Sequence, residues 1–297
     1  MASNPTFPLR RVALIGKYRS PEAAESLGLL ADFLSRRNVD VLIEAETAAC
    51  IGANDGRVAS YSVIGKEADA AIVVGGDGTL LNAARHLAAF GVPLVGVNQG
   101  RLGFMTDVSR ENMLASMDDL LAGRFSREDR FLLEALIERR GTRLAPGLAL
   151  NDIVLSKANP GRMIEFELHI DGEFIYVLRA DGMIVATPTG STAYALSANG
   201  PILHPVVAGI AVVPLCPHGL SYRPITVSAS SCVELVMIDA YDGLLHSDGQ
   251  DRFEVQGGDR ISIRHAGKSV AFLHPPGYSY FAMLREKLHW SATPKRI

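Results

Sequence analysis

A chain of 297 residues, 48% hydrophobic and 21% charged, has the length for two domains and the composition of a globular protein. Its net charge of −3 carries no basic excess and argues against a nucleic-acid partner. Cys50, Cys216 and Cys232 form no CxxC pair, no apolar stretch suffices for a bilayer, and Met1 to Arg11 has no leader-like apolar core, so the cytoplasm is the expected compartment.

Arg11 to Gly16 reads as a first strand, followed by a helix from Pro21 to Arg37 with Ser20 as its N-cap. Ala24, Leu27, Leu30, Ala31 and Leu34 form the expected apolar stripe of that helix. Val39 to Ile43, Ala70 to Val74 and Pro93 to Asn98 read as further strands. Helices are expected from Leu80 to Phe90, stopped by Gly91 and Pro93, and from Ser109 to Leu121. This alternation predicts an α/β domain with a parallel sheet over 1–125, with ligands at the carboxyl ends of its strands.

From Phe125 onward, short apolar runs separated by glycines predict a β-rich, antiparallel domain over 126–270. The runs are Phe131 to Arg139, Leu148 to Ser156, Ile164 to Ile170, Phe174 to Arg179, Ile210 to Val213, Ile225 to Val227, Val233 to Ile238 and Arg260 to Arg264. Asp171-Gly172 reads as a hairpin turn. A last segment, 271–297, is expected to return to the first domain through a helix from Tyr278 to Trp290, with Phe281, Leu284 and Leu288 on its docking face.

Gly75-Gly76-Asp77-Gly78-Thr79 directly follows the strand Ala70 to Val74. Glycines let backbone N–H groups approach a phosphate, because no Cβ intervenes. A carboxylate repels a bare anion, so Asp77 points to a hydroxyl that attacks phosphorus or to a cation that bridges phosphates. Phosphoryl transfer follows, with a plain tight turn as the competing reading. Asn151-Asp152 interrupts an apolar strand and must be satisfied there. The amide can read an adenine edge and the acid can accept from ribose hydroxyls, or the pair simply ends a strand. Asp181 to Tyr194 runs through Thr187-Pro188-Thr189-Gly190-Ser191-Thr192 and continues to Pro201. It reads as a strand, a hydroxyl-rich turn and a short helix, either an anion or purine site or an ordinary capped helix. Gly267-Lys268-Ser269 lacks the first glycine of a P-loop, since Ser262 stands there. No GxGxxG follows the first strand, and HExxH and GxSxG are absent.

In this order, GGDGT, the Asn-Asp pair and the TPTGSTAYALSANGP segment resemble the NAD kinase family of the bacterial, ATP-dependent type. The resemblance runs from about Val12 to Trp290. It takes in Gly100-Arg101-Leu102-Gly103-Phe104, Pro217-His218, Arg223-Pro224 and Asp248-Gly249-Gln250. It implies phosphorylation of the adenosine 2′-hydroxyl of NAD by ATP to give NADP. Asp77 would be the catalytic base, with Gly75, Gly76, Gly78, Thr79 and Phe104 around the reacting nucleotides. Asn151 and Thr192 would read adenine, and Asp152 would hold ribose hydroxyls where many members carry Glu. Ala193, Tyr194, Ala195, Leu196 and Ser197 would line the dinucleotide. Arg162, Arg179, Asp181 and Gln250 would add contacts, some from a neighbouring subunit of a homodimer or homotetramer. Arg179 before Ala180-Asp181-Gly182 resembles the subgroup preferring NAD over NADH and ATP over polyphosphate. Mg²⁺ or another divalent cation would accompany ATP, and no side chain is assigned as its ligand. GGDGT also occurs in lipid kinases of the diacylglycerol type, which leaves that activity as an alternative, beside a non-catalytic dinucleotide-binding module.

Overall fold

The computed structural model describes residues 9–17, 20–52, 57–100, 103–159, 161–238 and 241–290. Arg101 and Leu102 of the glycine-flanked loop lie outside them. The chain divides into two compact units, Met1–Asp129 with Val270–Ile297, and Arg130–Ser269.

Unit 1 is an α/β unit. Its elements are β1 (Arg11–Gly16), α1 (Pro21–Ser35), β2 (Asp40–Glu44), α2 (Ala45–Ile51), β3 (Val58–Ala59), α3 (Tyr61–Glu67), β4 (Ala70–Val74), α4 (Asp77–Leu87), β5 (Leu94–Asn98), β6 (Val108–Ser109) and α5 (Met113–Leu121). The parallel strands lie in the order β3-β2-β1-β4-β5, with β6 on β5. Every residue of β4 and β5 is buried, as expected for central parallel strands covered on both faces.

The Ser20 hydroxyl accepts the Ala23 N–H at 3.3 Å, and Pro21 opens α1. That start sets the buried stripe as Ala23, Ser26, Leu27, Leu30 and Leu34, with the expected Ala24 and Ala31 only half-buried. Helix α4 begins at Asp77 instead of Leu80, because the glycine turn ends at an extended Gly76. The segment expected to be helical from Ser109 is first a strand end and one 3₁₀ turn, Arg110–Asn112.

Unit 2 holds two antiparallel sheets. Its elements are β7 (Ser126–Arg139, entering from unit 1), β8 (Thr142–Ala149), β9 (Asp152–Lys157), β10 (Ile164–Ile170), β11 (Glu173–Ala180), β12 (Gly182–Ala186), α6 (Tyr194–Ser197), β13 (Gly209–Leu215), β14 (Ile225–Ser228), β15 (Val233–Met237), β16 (Gly243–Ser247), β17 (Asp251–Val255) and β18 (Arg260–His274). One sheet runs β14-β13-β12-β9-β16-β17. In the other, β15 lies between β10 and β18, and β10 pairs with β11. The apolar inner faces, including Phe166, Leu155, Met183 and Leu235, form one core. Asp171-Gly172 turns β10 into β11 with φ of 53° and 82°, the pair of positive values that a two-residue hairpin turn of this kind needs.

The hairpin β16–β17 also turns on a pair of positive φ values, 53° and 65° at Asp248-Gly249, but with a three-residue loop, since Ser247 pairs with Asp251. Strand β18 extends ten residues past the expected Arg264, and its end, Val270–His274, belongs to unit 1. The final helix, α7 (Tyr280–Leu288), buries Tyr280, Met283 and Leu284. Of the expected face only Leu284 is buried: Phe281 is 58% exposed and Leu288 half-buried, because the Ser279 N-cap places the apolar stripe one residue earlier.

Candidate active site

In unit 1, the side chain expected to be functional is Asp77, the first residue of α4. Its carboxylate is fixed from the segment after β5. Phe104 N–H donates to Oδ2 at 2.9 Å, Met105 N–H to Oδ1 at 3.2 Å, and the Thr106 hydroxyl to Oδ1 at 3.4 Å. A carboxylate offers about four acceptor positions, so this set leaves Oδ2 with capacity for a further donor. Gly103 makes the arrangement sterically feasible, because a Cβ there would overlap both Asp77 Oδ1 and Thr106 Oγ1. Gly75 donates its N–H to Val97 O at 2.8 Å and packs on the Thr79 side chain. Around the Cα of Gly76 and of Gly78 there is open space. Phe104 is half-buried, with Lys287 Nζ 6.0 Å from its ring centre.

In unit 2, the break between β8 and β9 is made by one side chain. Asp248 accepts the N–H of Leu150 at 2.9 Å, of Asn151 at 2.8 Å and of Asp152 at 3.1 Å. This is why Leu148 to Ser156, expected as a single strand, is two. The Thr187 N–H donates to Asn151 O at 2.9 Å, and the Thr187 hydroxyl donates to Leu150 O. Ser191 donates to Pro188 O at 2.6 Å and accepts from Leu203 N–H at 2.9 Å. Thr192 donates to Thr189 O at 3.0 Å. The hydroxyls of this segment thus build the turn, and Thr192, which is buried, keeps acceptor capacity only.

Asn151, Asp152, Ala193 and Tyr194 share one cavity of about 400 Å³ with Val154, Ser156, His246, Asp248 and Gly249. Among the described residues, Asn151 Oδ1 is buried with no hydrogen-bond partner. Asp152 is 5% exposed, and burial, followed by the nearby Asp248 charge, pushes its carboxyl up to about 7. Burial, then the charge of Arg252, pushes the His246 imidazole down from its ordinary range. Tyr194 also borders a second cavity, of about 540 Å³, with Ser197, Cys216, Tyr222 and Arg223.

The remaining expected residues are placed differently. Asp181 is engaged by Lys157 at 2.6 Å. Arg162 lies 4.8 Å over the Tyr241 ring and is exposed, as are Arg179 and Gln250. Ala195 packs in a core cluster with Ile184, Ala186 and Ala211, which leaves only its backbone for a ligand, and Leu196 is half-buried. Sequence reasoning missed Lys157 and His246. The Asp248-Gly249 turn was the available signal for His246, since it marks a hairpin whose first strand carries that histidine.

A carboxylate pinned at the glycine-rich head of a helix, and a buried amide beside a carboxyl in a cavity, are the equipment of a kinase that acts on a nucleotide. Comparison with known proteins makes this particular. Residues 12–125 match the model of the ATP-NAD kinase N-terminal domain, and residues 150–274 that of the ATP-NAD kinase C-terminal domain. The chain is 59% identical over 288 residues to the NAD kinase of Aromatoleum aromaticum, covering 97% of this chain and 96% of that one. It is 56% identical over 287 residues to the NAD kinase of Azoarcus sp., covering 96% and 98%. Among solved structures, yeast NADH kinase complexed with NADH superimposes with a TM-score of 0.89 at 25% identity, over 98% of this chain and 91% of that one. An NAD kinase from Archaeoglobus fulgidus in complex with ATP gives 0.73 at 26% identity, over 94% and 98%. The chain belongs to the NAD kinase family.

Proposed function

We propose that the chain transfers the γ-phosphoryl group of ATP to the adenosine 2′-hydroxyl of NAD, giving NADP and ADP. The observation that carries this reading is the unit 2 cavity, where the unpartnered Asn151 amide oxygen and the buried Asp152 carboxyl line one space large enough for a nucleoside. Asn151 Oδ1 and the Thr192 hydroxyl oxygen are acceptors suited to the adenine amino group, and Asp152 accepts from ribose hydroxyls. Ala193, Tyr194 and Ser197 line the rest of the dinucleotide.

Phosphoryl transfer through a loose transition state needs positioning and charge neutralisation more than strong base catalysis. Asp77 orients the 2′-hydroxyl and takes its proton as the new O–P bond forms and the bond to ADP breaks. The N–H groups of Gly76 and Asp77, at the head of α4, face the charge that develops on the phosphoryl oxygens, whereas that of Gly75 is taken by Val97 O. Magnesium belongs to this reading as the companion of the triphosphate, part of the substrate. Among the described residues no three His, Cys, Asp or Glu side chains gather to hold an ion.

The protein is proposed to work as a homo-oligomer, a dimer or tetramer, with Arg162, Arg179 and Gln250 available to a neighbouring copy. Their exposure supports this, as do Phe174, Ile175 and Val177, exposed on the same strand as Arg179. The proposed compartment is the cytoplasm. No helix among the described residues is long and apolar enough to cross a membrane.

An assay with ATP, magnesium and NAD, read by NADP formation, tests the reaction. NADP accumulation is the expected result, and a parallel run with NADH sets the acceptor preference. NAD binding with no NADP would instead identify a binding module, and phosphate transfer only to diacylglycerol a lipid kinase.

A further inference from the structure

His274, at the end of β18, is buried within unit 1, with 2% of its surface exposed. Its Nδ1 lies 2.8 Å from Asp107 Oδ2. The ring is stacked on Tyr278, with centres 3.8 Å apart and planes 6° from parallel, and more distantly on Phe272. Nε2 is 3.9 Å from Glu128 Oε1, beyond hydrogen-bond reach but within strong electrostatic range. Arg124 shares a small cavity with the imidazole, and its own charge is paired with Asp119. Burial alone would push His274 towards its neutral form, but Asp107 and Glu128 outweigh it and raise the imidazole above its ordinary range.

Asp107 directly follows Phe104, Met105 and Thr106, the three residues that hold Asp77. Asn98 Nδ2 secures the same segment by donating to Thr106 O at 3.2 Å and Val108 O at 3.1 Å. The Asp107 side chain is a further anchor between those two carbonyls, and the stacked imidazole is what it is tied to. A donor locked in one orientation by ring stacking fixes its acceptor more tightly than a flexible side chain does.

We propose that His274 is a positioning residue for phosphoryl transfer. It holds Asp107, and through it the Phe104–Thr106 segment, in the register that places the Asp77 carboxylate. This rests on Asp77 acting as the base under the function proposed above. His274 is buried and engaged by Asp107 and Tyr278, so its effect falls on the placement of Asp77 and not on NAD affinity.

The test compares three variants with the wild-type enzyme in the NADP-forming assay. His274→Phe keeps the stacking ring and removes the donor. It should lower kcat on the order of 10²-fold, the scale of a 1 Å misplacement, while KM for NAD stays within about twofold, since binding is not what is lost. His274→Asn restores a side-chain N–H near the position of Nδ1 and should recover most of that loss. His274→Phe leaves the Asp107 charge buried without its donor, which can compromise folding. The double variant Asp107→Asn/His274→Phe removes that charge while leaving residue 107 untied, and its kcat should stay low. Wild-type kcat in the double variant would overturn the proposal, because His274 would then only neutralise a buried charge. Wild-type kcat in His274→Phe, or no recovery in His274→Asn, would overturn it as well. If the wild-type enzyme forms no NADP, the failure lies with the proposed reaction and not with His274.

Discussion

The Asp77 carboxylate occupies the volume that a methyl group on residue 103 would need. Twenty-six positions separate the two along the chain, yet Gly103 is the residue that lets the segment after β5 close over the head of α4. The constraint is space and not backbone conformation. Gly103→Ala should therefore displace Asp77 or Thr106, lowering kcat by roughly 10²-fold at a stability cost of about 1–3 kcal/mol. Steady-state kinetics and a thermal melt on the same preparation check this. An alanine variant with wild-type kcat would show that the carboxylate can shift without consequence.

Asp77→Asn keeps the size of the side chain and an oxygen for one of the N–H groups of Phe104 and Met105, but it removes the base. General-base contributions are about 10²–10⁴-fold, so kcat should fall by that order while the melting curve changes little. Turnover near the wild-type rate would dismiss Asp77 as the base.

Local signals carried much of the fold, and long-range pairings explain the rest. Strands β1 and β4 were legible to the residue from their β-branched runs, and the Asp171-Gly172 hairpin from its turn chemistry. Helices α2 and α3, of seven residues each, were too short for a helical period to stand out. The Asn-Asp pair left open whether the strand continues or ends at Asn151, because what decides it, Asp248, lies 97 positions away. The same holds for His274 and Asp107, 167 positions apart. At the site, the Asn-Asp pair was readable because polar residues inside an apolar strand require partners. His246 was not, since its alternation with Leu245 and Ser247 is that of any strand.

Asp248 is expected to be structural first. Its carboxylate takes three consecutive N–H groups beside the cavity it lines, and Asp248→Ala leaves all three without that acceptor. Hydrogen bonds to a charged group are each worth about 1.5–3 kcal/mol, and water can enter here to satisfy part of the set. A loss of roughly 3 kcal/mol in urea unfolding is the expected outcome. KM for NAD should rise as well, because Asn151 and Asp152 lose their fixed backbone. An unchanged urea midpoint would mean that the strand break persists without its cap.

Asp152 makes stability and substrate binding oppose each other. Its carboxyl titrates near 7 in the folded chain, raised by burial and then by Asp248, against about 3.9 when unfolded. Below pH 4 both states are protonated and the residue carries no penalty. Between pH 4 and 7 the unfolded chain releases the proton first, so folding stability falls as pH rises. Above 7 the penalty is complete, on the order of 4 kcal/mol at most. Asp152→Asn removes this titration. The variant's stability relative to wild type should therefore rise by about 2–4 kcal/mol between pH 4 and pH 8, measured by urea unfolding at each pH. KM for NAD should increase in the same variant, because an amide accepts from ribose hydroxyls less well than a carboxylate does. A relative stability that stays flat across that range would place Asp152 in an ordinary, solvated carboxylate environment.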